Sequence, residues 1–147
     1  MNKLIIRKMD EDDIPAILGI ERISFGSPCA EQFFLYAIYK KNAFSQVAVF
    51  EKSIIGYICV DHLLHESHVL DLAVHPDFRR LGVASLLIND AIRELKKRGC
   101  VFMYLEVRAS NAAAQRFYEL FGFKVVSIRK KYYGKPDEDA LLMEARL

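Results

Sequence analysis

The chain has 147 residues, 52% of them hydrophobic and 27% charged, enough for one domain over residues 1–147 with a real core, and no Pro/Ser/Gly-rich run divides it. Its 21 basic and 19 acidic residues leave a formal charge of +2, which argues against nucleic acid or a membrane surface as partner. Cys29, Cys59 and Cys100 form no close pair, so a disulfide framework or zinc knuckle is excluded. A cytoplasmic setting is expected, since Leu4-Ile5-Ile6 is too short for a signal-peptide core and no run reaches membrane-span length.

Leu4-Ile5-Ile6 reads as a first strand. Asp10 can cap the helix after it, with Pro15 in the first turn and Ile14, Ile17, Leu18 and Phe25 as apolar positions. Gly26-Ser27-Pro28 breaks the chain, and residues 31–39 carry Phe34, Leu35 and Ile38 at helical spacing. These two helices are expected to wall a cleft. Residues 44–50 and 54–60 are strand-like, joined by the polar Glu51-Lys52-Ser53 in a hairpin. The next connection spans residues 62–68 and contains His62, His65 and His68. Three histidines at intervals of three suggest a metal, but the segment is too short for a stable helix, and strand alternation would send successive histidines to different faces. A polar hairpin turn without metal is expected.

Residues 69–74 are a nearly continuous apolar run, the pattern of a covered strand, stopped by His75-Pro76-Asp77. Ala84, Leu87, Ile88, Ala91 and Leu95 then recur on one helix face, basic residues crowd the last turn, and Gly99 can cap it. The helix N-terminus faces Arg79-Arg80-Leu81-Gly82-Val83-Ala84, where unpaired N–H groups and the helix dipole suit an anion and Gly82 allows close approach. The bland alternative is an ordinary strand-turn-helix connection with two solvated arginines. The segment lacks the Gly-Lys-Ser/Thr of a P-loop and the three spaced glycines of a dinucleotide fold.

Residues 101–107 form another apolar run, and the strand-helix-strand order makes it parallel to the strand at Val69. Glu106 is anomalous there, because a carboxylate in a covered sheet costs several kcal/mol unless paired or given water. It is either an ion-pair partner of Arg108 on the same face or a base at the cleft beyond the strand ends. Ser110-Asn111 can cap a helix over residues 112–121 with Ala113, Phe117, Leu120 and Phe121 as its apolar stripe, ended by Gly122. Asn111 and Tyr118 share a face of that helix about 10 Å apart. Two last strands, residues 123–128 and 140–147, are separated by a polar loop over residues 130–139 that carries Tyr132 and Tyr133.

Arg79-x-x-Gly82-x-Ala84, Leu105-Glu106-Val107-Arg108-x-Ser110-Asn111, Tyr118-Glu119-x-x-Gly122-Phe123 and the Tyr132-Tyr133 pair before Glu138-Asp139-Ala140 stand in one order. In that order they resemble the GNAT acetyltransferase superfamily, and within it the RimI-type ribosomal-protein-alanine N-acetyltransferases, over nearly the whole chain. The resemblance implies a mixed, mostly antiparallel α+β fold of about seven strands and four helices, with a parallel strand pair splayed to hold coenzyme A. It implies acetyl-CoA as cosubstrate, with Leu72, Ala73 and Val74 along the pantetheine arm, Arg79, Arg80, Leu81, Gly82, Val83, Ala84 and Ser85 around the pyrophosphate, and Asn111 also in contact. It implies Glu106 as the base for a protein N-terminal amine, Tyr118 as the acid for the leaving thiolate, and Tyr132 and Tyr133 on the acceptor side, the acceptor being a ribosomal protein. One departure lies on the acceptor wall, where Pro28-Cys29 stands in place of the family's frequent Pro-Trp. A small-amine acetyltransferase and a non-catalytic coenzyme A module are the competing readings. The tyrosine loop speaks against the first, and the joint presence of Glu106 and Tyr118 against the second.

Overall fold

Seven strands and four α-helices make up the computed structural model, which describes residues 3–134 and 137–147. The strands are β1 (Leu4–Lys8), β2 (Ala43–Phe50), β3 (Ser53–Leu63), β4 (Glu66–Val74), β5 (Phe102–Arg108), β6 (Lys124–Gly134) and β7 (Asp137–Arg146). The helices are α1 (Ile14–Ser24), α2 (Glu31–Tyr39), α3 (Val83–Lys97) and α4 (Ala112–Glu119). One sheet runs β1-β2-β3-β4-β5-β7-β6, parallel only between β4 and β5. This is the mixed, mostly antiparallel architecture expected. Among the described residues no helix is long and apolar enough to cross a membrane.

Strand alternation gives the sheet two cores. On one face Leu87, Ile88, Ala91 and Leu95 of α3, each fully buried, pack on Met103, Leu105, Val107 and Met143. On the other, Ile17 of α1 and Phe34 and Ala37 of α2 pack on Val47, Tyr57, Cys59 and Ala73. Fully burying one such large apolar side chain contributes about 1.5–3 kcal/mol, so these helices are held by their stripes more than by propensity.

Several boundaries differ from those the sequence pattern predicts. Asp10 caps a short 3-10 turn, Glu11–Asp13, through a capping box, and α1 follows that turn, leaving Phe25 beyond its end. The histidine segment is a tighter hairpin than expected: β3 and β4 extend until only Leu64 and His65 remain as the turn, with Leu64 at φ 56°. Leu120 points to solvent at 80% exposure, because α4 ends at Glu119. The polar stretch expected as a loop over residues 130–139 is largely strand. β6 reaches Gly134 and β7 starts at Asp137, with a bulge where the pairing jumps from Arg129 to Tyr133. Lys135 and Pro136 of that stretch lie outside the described residues.

The path of β4 shapes the space beside it. Its ladder to β5 covers only residues 66–68 against 102–104. On the β3 side the register slips, Val60 facing Val69 while Cys59 faces Asp71, so Leu70 is an extra residue. A bulge bends its strand and shifts the alternation by one. Val69, Leu72 and Val74 accordingly pack toward α3, whereas Leu70 and Ala73 pack toward α1 and α2. Beyond His68 and Tyr104 the parallel strands part.

Candidate active site

The parting of β4 from β5 opens a cleft of about 640 Å³. Leu72, Ala73 and Val74 line one side, Arg79, Arg80, Gly82, Val83, Ala84 and Ser85 the end, and Asn111 and Tyr118 the other side. Ser24 at the end of α1 and Phe25 just after it close it from the α1 side. Leu81 is the exception among the expected residues: it is 67% exposed and does not line the cleft.

Local sequence explains the cleft's end. Pro76–Phe78 form a 3-10 turn whose Asp77 N–H donates to His75 Nδ1 at 3.1 Å, and Arg79 Nε reaches back to the Val74 carbonyl at 3.2 Å. Arg80 and Gly82 then take left-handed conformations, φ 67° and 80°, and Gly82 caps α3 without a side-chain hydrogen bond. A Cβ at Gly82 would meet no protein atom within 4 Å. The glycine therefore serves the positive φ and leaves open space before the helix's first N–H groups, as a bound pyrophosphate needs. Asn111 caps α4, its Oδ1 accepting from the Ala114 N–H at 3.1 Å.

Glu106 lies elsewhere than Tyr118. Buried Met103, Leu105 and Val107 face α3, so Tyr104, Glu106 and Arg108 point to the opposite side of β5. There Glu106 opens on a second, smaller hollow of about 320 Å³ with His68, Tyr104 and Arg129. The pair with Arg108, one of the two readings of Glu106 in the sequence, is not seen: Arg108 is paired with Glu138. Glu106 instead accepts from His68, whose Nε2 lies 2.9 and 2.8 Å from its two carboxylate oxygens. The Glu106 side chain is only 8% exposed, against 39% for His68. Arg108 turns to Glu138 at 3.2 Å, and the Ser110 N–H donates to the same carboxylate at 2.6 Å. Hydrogen bonds from Ser110 and then Arg108 hold the Glu138 carboxyl below its usual range.

The paired tyrosines separate. Tyr132 is exposed beneath the Arg129 guanidinium, while Tyr133 is half-buried with the Arg108 guanidinium 4.3 Å from its ring centre. Burial, and next the Glu106 charge, push the Tyr133 phenol up to about 12. Burial chiefly, then the charges of Asp71 and Tyr133, raise the Tyr118 phenol, so it stays protonated and able to donate. Tyr133 thus stands within electrostatic reach of both Glu106 and Tyr118.

The structure brings the loop, Asn111, Tyr118 and residues 72–74 to one cleft and sets Glu106 on a neighbouring one. The sequence marks His68 only as one of three spaced histidines and not as a partner of Glu106, because only the parallel register, which sets it opposite Tyr104, brings Glu106 into its reach. Of the three histidines, His62 lies on β3, His65 in the turn and His68 on β4.

The acetyltransferase (GNAT) family model matches residues 14–123. The ribosomal protein bS18-alanine N-acetyltransferase of Escherichia coli strain K12 is 35% identical over 140 residues, 94% of this chain and 94% of its own. The putative enzyme of that description from Bacillus subtilis strain 168 is 32% identical over 143 residues, 96% and 94% of the two chains. The crystal structure of the ribosomal-protein-S18-alanine N-acetyltransferase from Escherichia coli superposes with a TM-score of 0.89 at 32% identity, covering 99% of this chain and 94% of that one. With a family model over most of its length and relatives of this identity end to end, the chain belongs to the GNAT acetyltransferase family.

Proposed function

We propose that this protein transfers acetyl from acetyl-CoA to the N-terminal α-amine of a protein, a ribosomal protein of the bS18 type beginning with alanine, and works as one domain in the cytoplasm. The acetyl transfer rests on the cleft where β4 leaves β5, with the open start of α3 at its end. The acceptor rests on the near full-length identity to enzymes of that description.

Acetyl-CoA supplies the activated acyl group. The backbone around Gly82 and the first turn of α3 hold its pyrophosphate, with Arg79 and Arg80 adding positive charge and Asn111 a further contact. Residues 72–74 lack a partner strand on the β5 side, so their backbone groups are free to bind the pantetheine arm and to stabilise a developing oxyanion. Glu106, directly or through one water, takes the proton of an α-ammonium whose pKa lies near 8. His68 fixes the carboxylate and, being more exposed, offers that proton a way to solvent. Tyr118 returns a proton to the departing sulfur. Tyr133 borders the acceptor's approach from β6.

The test is mass spectrometry of a peptide library with different first residues, incubated with enzyme and acetyl-CoA beside spermidine as a small amine. Acetylation at the α-amine of alanine-starting peptides is the expected result. Preferred modification of spermidine or of lysine side chains would overturn the acceptor assignment while leaving acetyl transfer intact.

A further inference from the structure

Outside this machinery two carboxyl groups meet in the interior. Glu21 on α1 is 1% exposed and accepts from the Tyr57 hydroxyl of β3 and, at 2.8 Å, from the Cys29 N–H. One carboxyl oxygen of Asp71 on β4 lies within 4.8 Å of one of Glu21, and both lie within that distance of Cys29 Sγ. The other Asp71 oxygen, Oδ2, is buried without a hydrogen-bond partner.

Two buried carboxyl groups this close disfavour ionising together, and one proton shared in a hydrogen bond between them removes the conflict. Glu21, already held by two other donors, is the better home for the charge. Asp71, with its orphaned oxygen, is the better home for the proton, because an unpartnered oxygen is far less costly on a neutral group than on an anion. Burial, followed by the Glu21 contact, raises the Asp71 carboxyl well above its ordinary range.

The pair joins the parts of the molecule that flank the acceptor's path. Glu21 sits one turn before Ser24, which lines the main cleft, and Cys29 begins the chain leading into α2. Asp71 immediately precedes Leu72, and only the bulge at Leu70 turns it toward α1. We propose that Asp71 and Glu21, sharing a single proton, are positioning residues that lock the α1–α2 wall onto β4 and so set the seat of the acceptor's first residue.

This rests on reading that wall as the acceptor side. The titratable groups facing Asp71 are Glu21, Cys29, Tyr57 and Cys59 beside it and Tyr118 across from it on α4. All are acids. Loss of the shared proton therefore adds a second negative charge that none of them offsets, and wall and strand repel.

Asp71→Asn keeps the shape and offers an amide N–H in place of the proton. The kcat/KM for an alanine-starting peptide is measured for both enzymes from about pH 6 to pH 10. The amine's own titration is common to both, so the ratio of variant to wild type isolates the pair. It should stay flat near neutrality and climb toward about tenfold per pH unit once Asp71 ionises, through peptide KM and not kcat. Asp71→Leu, which cannot make the hydrogen bond, should raise peptide KM at every pH.

A second readout needs no activity. Folded Asp71 binds its proton more tightly than the unfolded chain does, so stability falls as pH rises from about 4 through the raised pKa. The Tm of Asp71→Asn should fall less over that interval. Parallel pH profiles of kcat/KM would overturn the positioning role, and parallel Tm profiles the shared proton. A wild-type enzyme that left the peptide unmodified would refute the acceptor reading, while the Tm comparison still judged the pair. Should Asp71→Asn not fold, Glu21→Gln removes the charge opposite Asp71 and takes its place in both comparisons: profiles that diverge from wild type support the pair, and parallel ones overturn it.

Discussion

The two hollows beside β5 are built of different materials. The end of the larger, at the start of α3, is made of backbone and small side chains, the left-handed Gly82 with Ala84 and Ser85, while bulkier groups such as Arg79, Phe117 and Tyr118 line its sides. The smaller is made of charged and polar side chains from several strands, with His68, Tyr104, Glu106 and Arg129 converging from β4, β5 and β6. A site made of backbone withstands most substitutions except where a glycine is required. A site made of side chains fails one residue at a time.

Glu106→Gln tests the contrast most severely. A general base contributes ~10²–10⁴-fold, so turnover should fall by that order at neutral pH, with acetyl-CoA affinity by calorimetry unchanged. The loss should shrink at high pH, where the amine arrives deprotonated. A folded variant with wild-type turnover at pH 7, under conditions where chemistry limits the rate, would remove Glu106 from the reaction.

Gly82→Asp attacks the backbone end of the cleft at its left-handed glycine. A non-glycine residue at φ 80° costs about 1–2 kcal/mol, and the carboxylate would stand where the proposed pyrophosphate binds. Acetyl-CoA affinity should weaken by ~10–10²-fold, and the thermal protection that the ligand gives should vanish with it. An equal Tm shift with and without the substitution would refute the pyrophosphate assignment.

Tyr133→Ala should lower kcat/KM for the peptide by roughly tenfold and Tyr132→Ala by less than about threefold, because only Tyr133 is enclosed and within reach of Glu106. Equal losses in the two variants would mean that both rings touch the acceptor. The smallest effect is expected from His68→Gln, a loss of a few-fold, since the amide can still hold the Glu106 carboxylate but cannot relay a proton. Its pH–rate profile should change shape; a profile merely scaled down would restrict His68 to holding the carboxylate.

The same contrast decides how much of the molecule is legible in its sequence. The main cleft is encoded within consecutive residues: a covered strand, Pro76, Gly82 and the stripe Leu87, Ile88, Ala91 and Leu95, each a local signal. The apolar β4 run beyond residue 68, α3 and its caps, and the seven-strand sheet implied by the resemblance all stand in the structure. The smaller hollow depends on register, which single-strand patterns do not carry. Glu106 stands out as anomalous in its apolar run, but the only partner that the pattern offers is Arg108, two residues away, and not His68, thirty-eight residues back. β6 is longer than its pattern suggests for a related reason. It is an edge strand exposed along nearly its whole length, so it lacks the alternation that marks a half-buried strand, and its basic residues read as loop.

Leu70 shows what one inserted residue does to a two-residue repeat. Downstream of it β4 is read in the opposite phase, so a polar side chain that would otherwise face α3 faces α1, and the strand carries two messages in one run of sequence. Deleting Leu70 would heal the ladder to β3 and leave Leu72 and Ala73 on their present faces, whereas straightening the bulge with Leu70 retained would swap the two across the sheet. Lineages and designers alike thus have a coarse control over this enzyme: sliding the reading frame of a single strand re-addresses its side chains between the α3 face and the α1–α2 face without altering which residues it contains.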